Sequence, residues 1–439
     1  NRIFIIYNVF IILIVIYILT KFICPNVFPE ILLNGIEYLG PTFMKLGQWV
    51  ATRRDLFSND ICDTLSRLQR QTPAHSWTYT RSILKLSYGE EWKKLFVKFD
   101  DDLIGSGCCA QVYKAWINKE SQILTKNKSK FIQVAEFFKL RKLVDYFGKK
   151  FEDDNELYPV AVKILHPGIE SCIKQDLKII NGFCKFATWL VPSIYWLNLS
   201  DCIKEFSKLM ENQVDMKLEA KNLLKFRKNF KNNSSVIFPK PILHLTNNLI
   251  LVESFHEGKY ISNYLNSSDK LLKKKLAKIG IKAILFHDNF IHCDLHPGNI
   301  LVQENNGLRL VLLDCGLVSS LNDRCQKNLR DVFRSLAKGD GALAGDYIMK
   351  HSDHMTPDPD GFKKTINDIV KKYMDNKLNL NNVNMWKLMT EFYSALVRYQ
   401  VHQDGAFINV VLSIVVIEDL GKSLDPSNDI LLELLQFIQ

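Results

Sequence analysis

The sequence predicts an α+β fold, in which a few short β-strands lie between long helical segments. Residues with high β propensity are confined to short segments, the clearest of them at 96–99, 110–115 and 158–164. Apolar residues at helical spacing dominate the segments before 70 and beyond 163. With 439 residues, 47% of them hydrophobic, the chain is long enough to bury the cores of two to three structural units.

The N-terminal segment 3–20 is almost entirely apolar. It is interrupted by Asn8 and tyrosines and is bounded by Arg2 and Lys21. As a helix it would be about 27 Å long, which nearly matches a hydrocarbon core of roughly 30 Å. We therefore predict a transmembrane helix over 1–22. A signal peptide is the less favoured alternative, because no small-residue cleavage site follows the apolar residues.

A helical extension is predicted over 23–100, because apolar residues recur at helical spacing in 29–39 and 57–70. Lys45 and Gln48 lie between these two helical segments, in the tetrapeptide Lys-Leu-Gly-Gln. The extension precedes the part of the chain in which the β-strands are predicted.

The β-rich part is predicted to span 101–255, with an insertion at about 119–157 that is rich in lysine, asparagine and aspartate. The remainder, 256–439, has mainly helical periodicity. Within it, the apolar segments 300–302 and 310–313 flank an Asn-Asn-Gly sequence and predict a β-hairpin.

The composition narrows the classes of partner. A formal net charge of +10 favours an anionic partner, such as an anionic membrane surface or a nucleotide. Nucleic acid is not expected as a partner, because no long basic block is interleaved with aromatic residues. The ten cysteines contain no CxxC pair, so the sequence predicts neither a zinc site nor a disulfide framework, and it favours a reducing compartment.

A glycine-rich turn is predicted between the first two strands, at Gly105-Ser106-Gly107. The glycines would let backbone amides approach the oxygens of a phosphate closely. By itself this feature is weak, because hairpin turns with two glycines are common and Ala110 replaces the third glycine of a GxGxxG pattern. Val112, on the next strand, is predicted to cover an adenine base.

A lysine and a helical carboxylate form the next predicted pair. Lys163 ends the apolar strand 160–162, at the spacing expected of a lysine that contacts the α and β phosphates of a nucleotide. Asp215 and Glu219 lie one helical turn apart, and one of them is predicted to pair with Lys163. Taken singly, these residues could also be a solvent-exposed lysine and solvated carboxylates.

Three polar residues complete the arrangement. Asp294 and Asn299 lie in the loop 292–299, and Asp314 directly follows an apolar strand. Asp294 is predicted to orient or deprotonate an acceptor hydroxyl, and Asn299 and Asp314 are predicted to hold Mg²⁺. A capped turn would explain the loop alone, but not the order in which all these elements occur. The sequence therefore predicts that ATP and Mg²⁺ bind, with the ATP-binding residues Gly105, Ser106, Gly107, Val112, Ala161, Lys163 and Glu253.

On these residues the sequence resembles the UbiB or aarF-domain-containing family of atypical kinases. The resemblance runs from about residue 41 to the end. It rests on the following segments: 45–48, 110–115, 160–163, 219–222, 292–299, 314–316 and 418–426. It implies a two-lobed protein-kinase-like fold, in which the helical extension folds over the cleft and brings Lys45 and Gln48 near the nucleotide as regulatory residues.

The resemblance also implies a cellular role, namely support of ubiquinone biosynthesis or lipid homeostasis at the mitochondrial inner membrane. Membrane lipids and ubiquinone-biosynthesis proteins would be the partners. Three positions depart from the family pattern. Gly105 begins a glycine-rich loop where many members have an alanine-rich one, Gln213 replaces a glutamate, and Cys315 replaces the phenylalanine of an Asp-Phe-Gly motif.

Three activities remain open from the sequence. The first is an ATP-dependent phosphotransferase or ATPase that acts on a lipid or isoprenoid-related ligand. The second is a non-catalytic scaffold that is gated by ATP. The third is a kinase of small soluble amines or alcohols, which the extension with Lys45 and Gln48 disfavours. Protein kinase activity is less favoured because His296 stands where protein serine/threonine kinases carry a lysine. The sequence identifies neither the phosphate acceptor nor the oligomeric state.

Overall fold

The computed structural model describes most of the chain. The described residues are 2–23, 27–52, 59–69, 74–118, 157–190, 199–284, 290–292, 295, 297–305, 307–320, 323–350, 352, 356–374, 385–401 and 420–425. Nearly all of the predicted insertion lies outside them, and so do Asp294 and His296.

Helices precede the first strand and follow the third. Before the first strand lie α1 (Arg2–Ile23), α2 (Phe28–Leu39), α3 (Pro41–Thr52), α4 (Asn59–Leu65), α5 (Trp77–Tyr88) and α6 (Trp92–Leu95). The later helices are α7 (Ile169–Leu190), α8 (Leu199–Gln213), α9 (Met216–Asn229), α10 (Ser262–Leu265), α11 (Lys270–Ile284), α12 (Asp323–Ala337), α13 (Gly341–Lys350), α14 (Pro359–Met374) and α15 (Met385–Arg398).

Within the described residues, the strands form three sheets. They are β1 (Phe96–Ser106), β2 (Ala110–Asn118), β3 (Leu157–Leu165), β4 (Val236–Ile237), β5 (Ile250–Ser254), β6 (Lys259–Tyr260), β7 (Phe290–His292), β8 (Ile300–Gln303), β9 (Arg309–Leu312) and β10 (Val318–Ser320). The first sheet has the order β1-β2-β3-β5 and is antiparallel throughout. The second has the order β4-β9-β8-β6, and β7 pairs with β10 in the third. The predicted α+β class is confirmed.

The first sheet separates an apolar face from a polar one. Val160, Val162 and Ile164 of β3 are fully buried and pack in one cluster with residues of α5 and α6. Burial of each such side chain contributes roughly 1.5–3 kcal/mol. Because side chains alternate along a strand, Ala161 and Lys163 point to the opposite face. The apolar face therefore anchors the strand while the other face remains available to polar side chains.

A larger apolar cluster joins α9 to the second sheet and to the helices that follow it. Leu223 and Phe226 of α9 are buried in this cluster, and the ring of Phe226 stacks on that of Phe238 at a centroid distance of 4.8 Å. Cys108, Cys109 and Cys315 belong to the same cluster. The core thus reaches the glycine-rich turn on one side and the segment after β9 on the other.

The prediction of a transmembrane helix over 1–22 is not supported. Within the described part of the chain, no helix meets the length and hydropathy that a membrane span requires. Instead, α1 packs along one stripe against other helices: Ile6 and Leu13 are buried, and the ring of Phe10 lies 6.0 Å from that of Phe43. The spacing of these residues is that of one helix face. Hydropathy alone could not distinguish this packed stripe from a lipid-facing surface.

Candidate nucleotide-binding site

Lys163 brings three distant segments together. Its Nζ lies 2.9 Å from Oε1 and 3.0 Å from Oε2 of Glu219, which is on α9. The same Nζ lies 3.1 Å from Oδ2 of Asp314, in the segment after β9. The Glu219 side chain is 3% exposed, that of Lys163 15% and that of Asp314 35%. The ammonium group therefore bridges a buried carboxylate and one that solvent or a ligand can reach.

The charges of this cluster shift one another's protonation. Burial alone would lower the pKa of Lys163, but Asp314 and Glu219 outweigh it and raise that pKa above its usual range. Burial would likewise raise the pKa of Asp314, but Lys163 and Lys45 outweigh it and hold that pKa well below its usual value. At neutral pH the site therefore contains a charged lysine beside a charged aspartate.

Two glutamates in the same cluster hold their protons more tightly than usual. Burial, opposed by Lys163, raises the pKa of Glu219 to about 7. Burial and the charge of Glu219 raise the pKa of Glu253 to about 8. Glu253 faces the site because it pairs with Ala161 in the sheet register, on the same face as Lys163. At neutral pH Glu253 is therefore mostly protonated and Glu219 partly so, while Asp314 carries the charge beside Lys163.

The structure distinguishes the two carboxylates that the sequence left as candidates for Lys163. Asp215 does not lie on the face of α9, because it is the N-cap of that helix. Its Oδ1 accepts hydrogen bonds from the backbone amides of Lys217 and Leu218, each at 3.0 Å. Glu219 lies one turn further on and makes the ion pair. Asp215 thus fixes where α9 begins, and this start directs Glu219 towards the lysine.

The glycine-rich turn lies later than predicted: Gly105 and Ser106 pair with β2 as the last residues of β1, and residues 107–109 connect the two strands. The backbone amide of Gly107 donates to the carbonyl of Ala110 at 2.9 Å, which closes the turn. Ser106 is buried, and among the described residues its hydroxyl has no hydrogen-bond partner. Val112 pairs with Lys163 in the register between β2 and β3, so the two side chains share the face of the sheet that carries Ala161 and Glu253. The predicted ATP-binding residues therefore lie on one turn and on the neighbouring strands.

A histidine pair that the sequence did not reveal supports this turn. The Nε2 of His166 lies 2.9 Å from the carbonyl oxygen of Gly107. The backbone amide of His166 donates to the carbonyl of Cys109 at 2.8 Å. The Nδ1 of His75, just before α5, lies 2.7 Å from the Nδ1 of His166. Burial lowers the pKa of His75 to about 4 and also lowers that of His166. Two neutral imidazoles thus link the helical extension to the turn.

Helix α3 of the extension also lies at the site. Lys45 is close enough to Asp314 for its charge to lower the pKa of that carboxyl group. The Nε2 of Gln48 donates to the carbonyl of Leu68 at 2.8 Å and lies 4.0 Å from Sγ of Cys108. The extension therefore reaches the glycine-rich turn and the aspartate from the same helix. Whether Lys45 and Gln48 regulate activity stays a prediction.

The residues predicted to hold Mg²⁺ lie on neighbouring segments. Asn299 ends a short 3₁₀ turn before β8, and its carbonyl accepts the amide of Leu313, the residue before Asp314, at 2.8 Å. Asp294 lies outside the described residues. Protein sites often hold Mg²⁺ through one or two side chains together with phosphate oxygens and water. An ionised Asp314 with an amide on the adjacent segment fits that donor set.

Among the described residues, no group of three or more histidine, cysteine, aspartate or glutamate side chains is arranged to hold a metal ion.

Comparisons with known proteins identify relatives of this chain. Residues 149–347 match the family model of the ABC1 atypical kinase-like domain. The chain is 31% identical to a mitochondrial ABC1 family protein of Schizosaccharomyces pombe, over 92% of this chain and 64% of that protein. It is 30% identical to a mitochondrial ABC1 family protein of Saccharomyces cerevisiae, over 91% of this chain and 66% of that protein. The chain thus spans slightly less than two thirds of the length of these relatives.

More distant relatives include bacterial proteins. The chain is 24% identical to the probable protein kinase UbiB of Glaesserella parasuis, over 90% of this chain and 67% of that protein. Its fold is similar to that of a Mycobacterium tuberculosis protein solved in complex with erythromycin, with a TM-score of 0.53, 17% identity and coverage of 87% of this chain and 86% of that one. This structural likeness concerns the fold alone, and it supports a kinase-like arrangement of helices and strands.

Proposed function

Because the chain belongs to the family of ABC1 and UbiB atypical kinases, we propose that it is an ATP-dependent phosphotransferase or ATPase that binds Mg²⁺-ATP around Lys163. The observation that carries the proposal is the position of the Lys163 ammonium group, within 3.1 Å of carboxylates from two distant segments. A lysine that is held in place and kept charged suits contact with the α and β phosphates.

Each residue of the cluster has a role in this proposal. Glu219 orients the ammonium group of Lys163, and backbone amides at the end of β1 and in the turn that follows it bind phosphate oxygens. Asp314 and Asn299 hold Mg²⁺, which when bound neutralises charge on the phosphates. Asp294, outside the described residues, orients the acceptor hydroxyl. Since Lys163 and Asp314 contact each other directly, nucleotide binding would separate them and give each a new partner of opposite charge.

Lys163→Met tests the proposal. It removes the charge but keeps an unbranched side chain, so we expect ATP turnover by the full chain to fall at least about 100-fold, as is usual when a group that stabilises transition-state charge is lost. Lys174→Met is the matched control, because Lys174 is on α7, is 57% exposed and pairs with Glu170 one helical turn away. Wild-type turnover in Lys163→Met would overturn the proposal. Wild-type protein that binds ATP without turning it over would favour the scaffold instead.

We propose that the chain works in the mitochondrion, at the inner membrane, in ubiquinone biosynthesis or lipid homeostasis. The mitochondrial relatives support the compartment, and the UbiB relatives support the link to ubiquinone. Ubiquinone-biosynthesis proteins are then the proposed protein partners. Deletion of the gene for this chain should lower cellular ubiquinone. The wild-type chain should restore the ubiquinone level, and Lys163→Met should not. Full recovery by Lys163→Met would contradict a catalytic role.

Membrane lipids are the second proposed partner. The face of α1 away from its packed stripe is apolar and exposed, with Phe4 71% and Ile11 57% accessible, and Trp189 at the end of α7 is 74% accessible. Exposed apolar surface of this extent is typical of an interaction site, and the net charge of +10 favours an anionic bilayer.

Co-sedimentation with liposomes tests this partner. Phe4→Asp together with Ile11→Asp should abolish binding to liposomes that contain anionic lipid. Leu86→Asp is the control, since Leu86 is equally exposed, at 75%, but on α5. Unchanged binding by the double variant would exclude α1 as the lipid-binding surface. Equal binding to neutral liposomes would exclude a role for the charge.

A further inference from the structure

Asn222 occupies a buried position on α9, three residues after Glu219. Residues at this spacing lie on the same face of a helix. The Asn222 side chain is 6% exposed, and its Nδ2 donates a hydrogen bond to the carbonyl oxygen of Cys315 at 2.9 Å. One face of α9 therefore presents a carboxylate to Lys163 and an amide to the segment that carries Asp314.

The segment that receives this bond has an unusual backbone conformation. Asp314 has φ of +46°, in the left-handed region that residues other than glycine seldom adopt. Such a conformation persists where neighbouring groups constrain it. Before Asp314, the Leu313 amide donates to the Asn299 carbonyl at 2.8 Å. Within the turn, the Gly316 amide donates to Oδ1 of Asp314 at 3.2 Å.

The bond from Asn222 adds a constraint on the far side of Asp314 and ties the segment to α9. The segment 314–316 and helix α9 are in close contact at this point. A Cβ atom added at Gly316 would lie 3.2 Å from Oδ1 of Asp314 and 3.7 Å from Oε2 of Glu219. The Cys315 carbonyl is buried, so without Asn222 it would lose its partner in a place that excludes water. The segment would then relax away from the helix.

We infer that Asn222 is a positioning residue, which fixes Asp314 relative to the Lys163–Glu219 pair so that metal and phosphates are held at the same time. The inference rests on the proposed function, and it adds a residue to which no role in the site had been given. An amide is required because the carbonyl needs an N–H donor. A carboxylate of the same shape would instead face the carbonyl oxygen with negative charge.

The inference predicts a graded series, in which Asn222→Ala weakens the site and Asn222→Asp weakens it more. We expect the Mg²⁺ concentration for half-maximal ATP turnover to rise about 10-fold in Asn222→Ala, corresponding to about 1.4 kcal/mol. Leu223→Ala is the matched control, since Leu223 is the next residue on α9 and is fully buried in the core. It should lower the thermal midpoint without changing the Mg²⁺ dependence.

Amide hydrogen exchange of the nucleotide-free full chain gives a second readout that needs neither Mg²⁺ nor turnover. The backbone amides of 314–316 should exchange at least about 10-fold faster in Asn222→Ala than in wild type, and in Leu223→Ala they should change no more than the rest of the core. If wild type fails to turn over ATP, the proposed function fails while this test still applies. If Asn222→Ala does not fold, Asn222→Leu takes its place, because leucine has a similar shape to asparagine and no hydrogen-bond donor. Wild-type exchange and wild-type Mg²⁺ dependence in the folded variant would overturn the inference.

Discussion

At two places in this molecule a cation binds both oxygens of a buried carboxylate, namely Arg2 with Asp176 and Lys163 with Glu219. The charges that surround the two ion pairs differ. At the N-terminus of α1, Nε and Nη2 of Arg2 bind the two carboxylate oxygens of Asp176 at 2.8 and 2.7 Å. The same guanidinium group donates to the carbonyl of Leu39, so its donors are used within the fold. Asp176 is fully buried, and one positive charge meets one negative charge.

The cluster around Lys163 has no such balance. Asp314, Glu219 and Glu253 influence one another's ionisation, and Lys163 and Lys45 are the cations that act on Asp314. The raised pKa values of the two glutamates, about 7 and about 8, express first their burial and then the repulsion among the carboxylates. A balanced pair stabilises the fold, whereas a cluster with more titratable carboxylates than cations can change its protonation when a charged ligand binds. The difference separates a structural ion pair from a candidate ligand site.

The largest predicted effect removes one charge from the unbalanced cluster. Asp314→Asn should lower Mg²⁺-dependent ATP turnover at least about 100-fold, because an ionised metal ligand is lost. Its thermal midpoint should fall modestly, because Lys163 and Lys45 lose the carboxylate that they hold in its ionised form. Turnover assays and calorimetry measure the two quantities.

The control for that variant is Asp346→Asn, which neutralises an aspartate of an exposed ion pair with Lys363. It should leave turnover at the wild-type level. A large loss of stability in Asp314→Asn, in place of a loss of turnover, would show that the Lys163 cluster is structural, like the Arg2 pair.

A smaller effect is expected at the Arg2–Asp176 pair, and it should appear in stability and not in turnover. Asp176→Asn leaves Arg2 without its anion and should lower the free energy of unfolding by about 2 kcal/mol, less than for a fully buried pair because Arg2 is 29% exposed. Turnover of the folded protein should stay at the wild-type level. Urea denaturation measures the change.

Glu170→Gln on the same helix supplies the comparison for Asp176→Asn. It breaks an exposed pair with Lys174 and should cost less than about 0.5 kcal/mol. Equal losses in the two variants would mean that the burial of the Arg2 pair contributes nothing.

Local signals in the sequence were enough to predict some parts of the molecule and not others. The hairpin of β8 and β9 was predicted from local signals, and it is confirmed by the pairing of Ile300 with Leu312. Lys163 and Asp314 could be singled out because each follows directly on an apolar strand. The choice between Asp215 and Glu219 could not be made, because the pattern does not show that α9 begins between them.

Features that depend on distant contacts gave no local signal. From hydropathy alone, α1 resembles a membrane span. Its packing could not be predicted, because a contact such as that of Arg2 with Asp176 joins residues 174 positions apart. His75 and His166 are 91 positions apart, and neither stands in a pattern that would identify a partner. Asn222 belonged to a recognisable motif, but only its distance to Cys315 suggests what it does.

The smallest predicted effect concerns a third pair, His75 and His166, which is partly buried and is neutral where the other two are charged. The pKa of His75 is about 4 in the folded chain and 6.5 in the unfolded chain, so the unfolded chain takes up a proton first. The stability that the neutral pair provides is therefore present above pH 6.5 and is lost as the pH falls towards 4. The loss should be about 1 kcal/mol, a value reduced because the His75 ring is partly exposed.

His75→Asn isolates this effect, because asparagine retains hydrogen-bonding groups near His166 but does not titrate. Denaturation midpoints between pH 7 and pH 4 should fall less steeply in the variant than in wild type. Since His166 also binds the carbonyl of Gly107, acid should loosen the glycine-rich turn as well, and nucleotide affinity should decline over the same pH range. An unchanged pH slope in His75→Asn would show that the pair does not govern this loss. A neutral pair thus transmits pH to the turn, whereas the balanced ion pair of Arg2 stabilises the fold and the unbalanced cluster of Lys163 can change its protonation when a charged ligand binds.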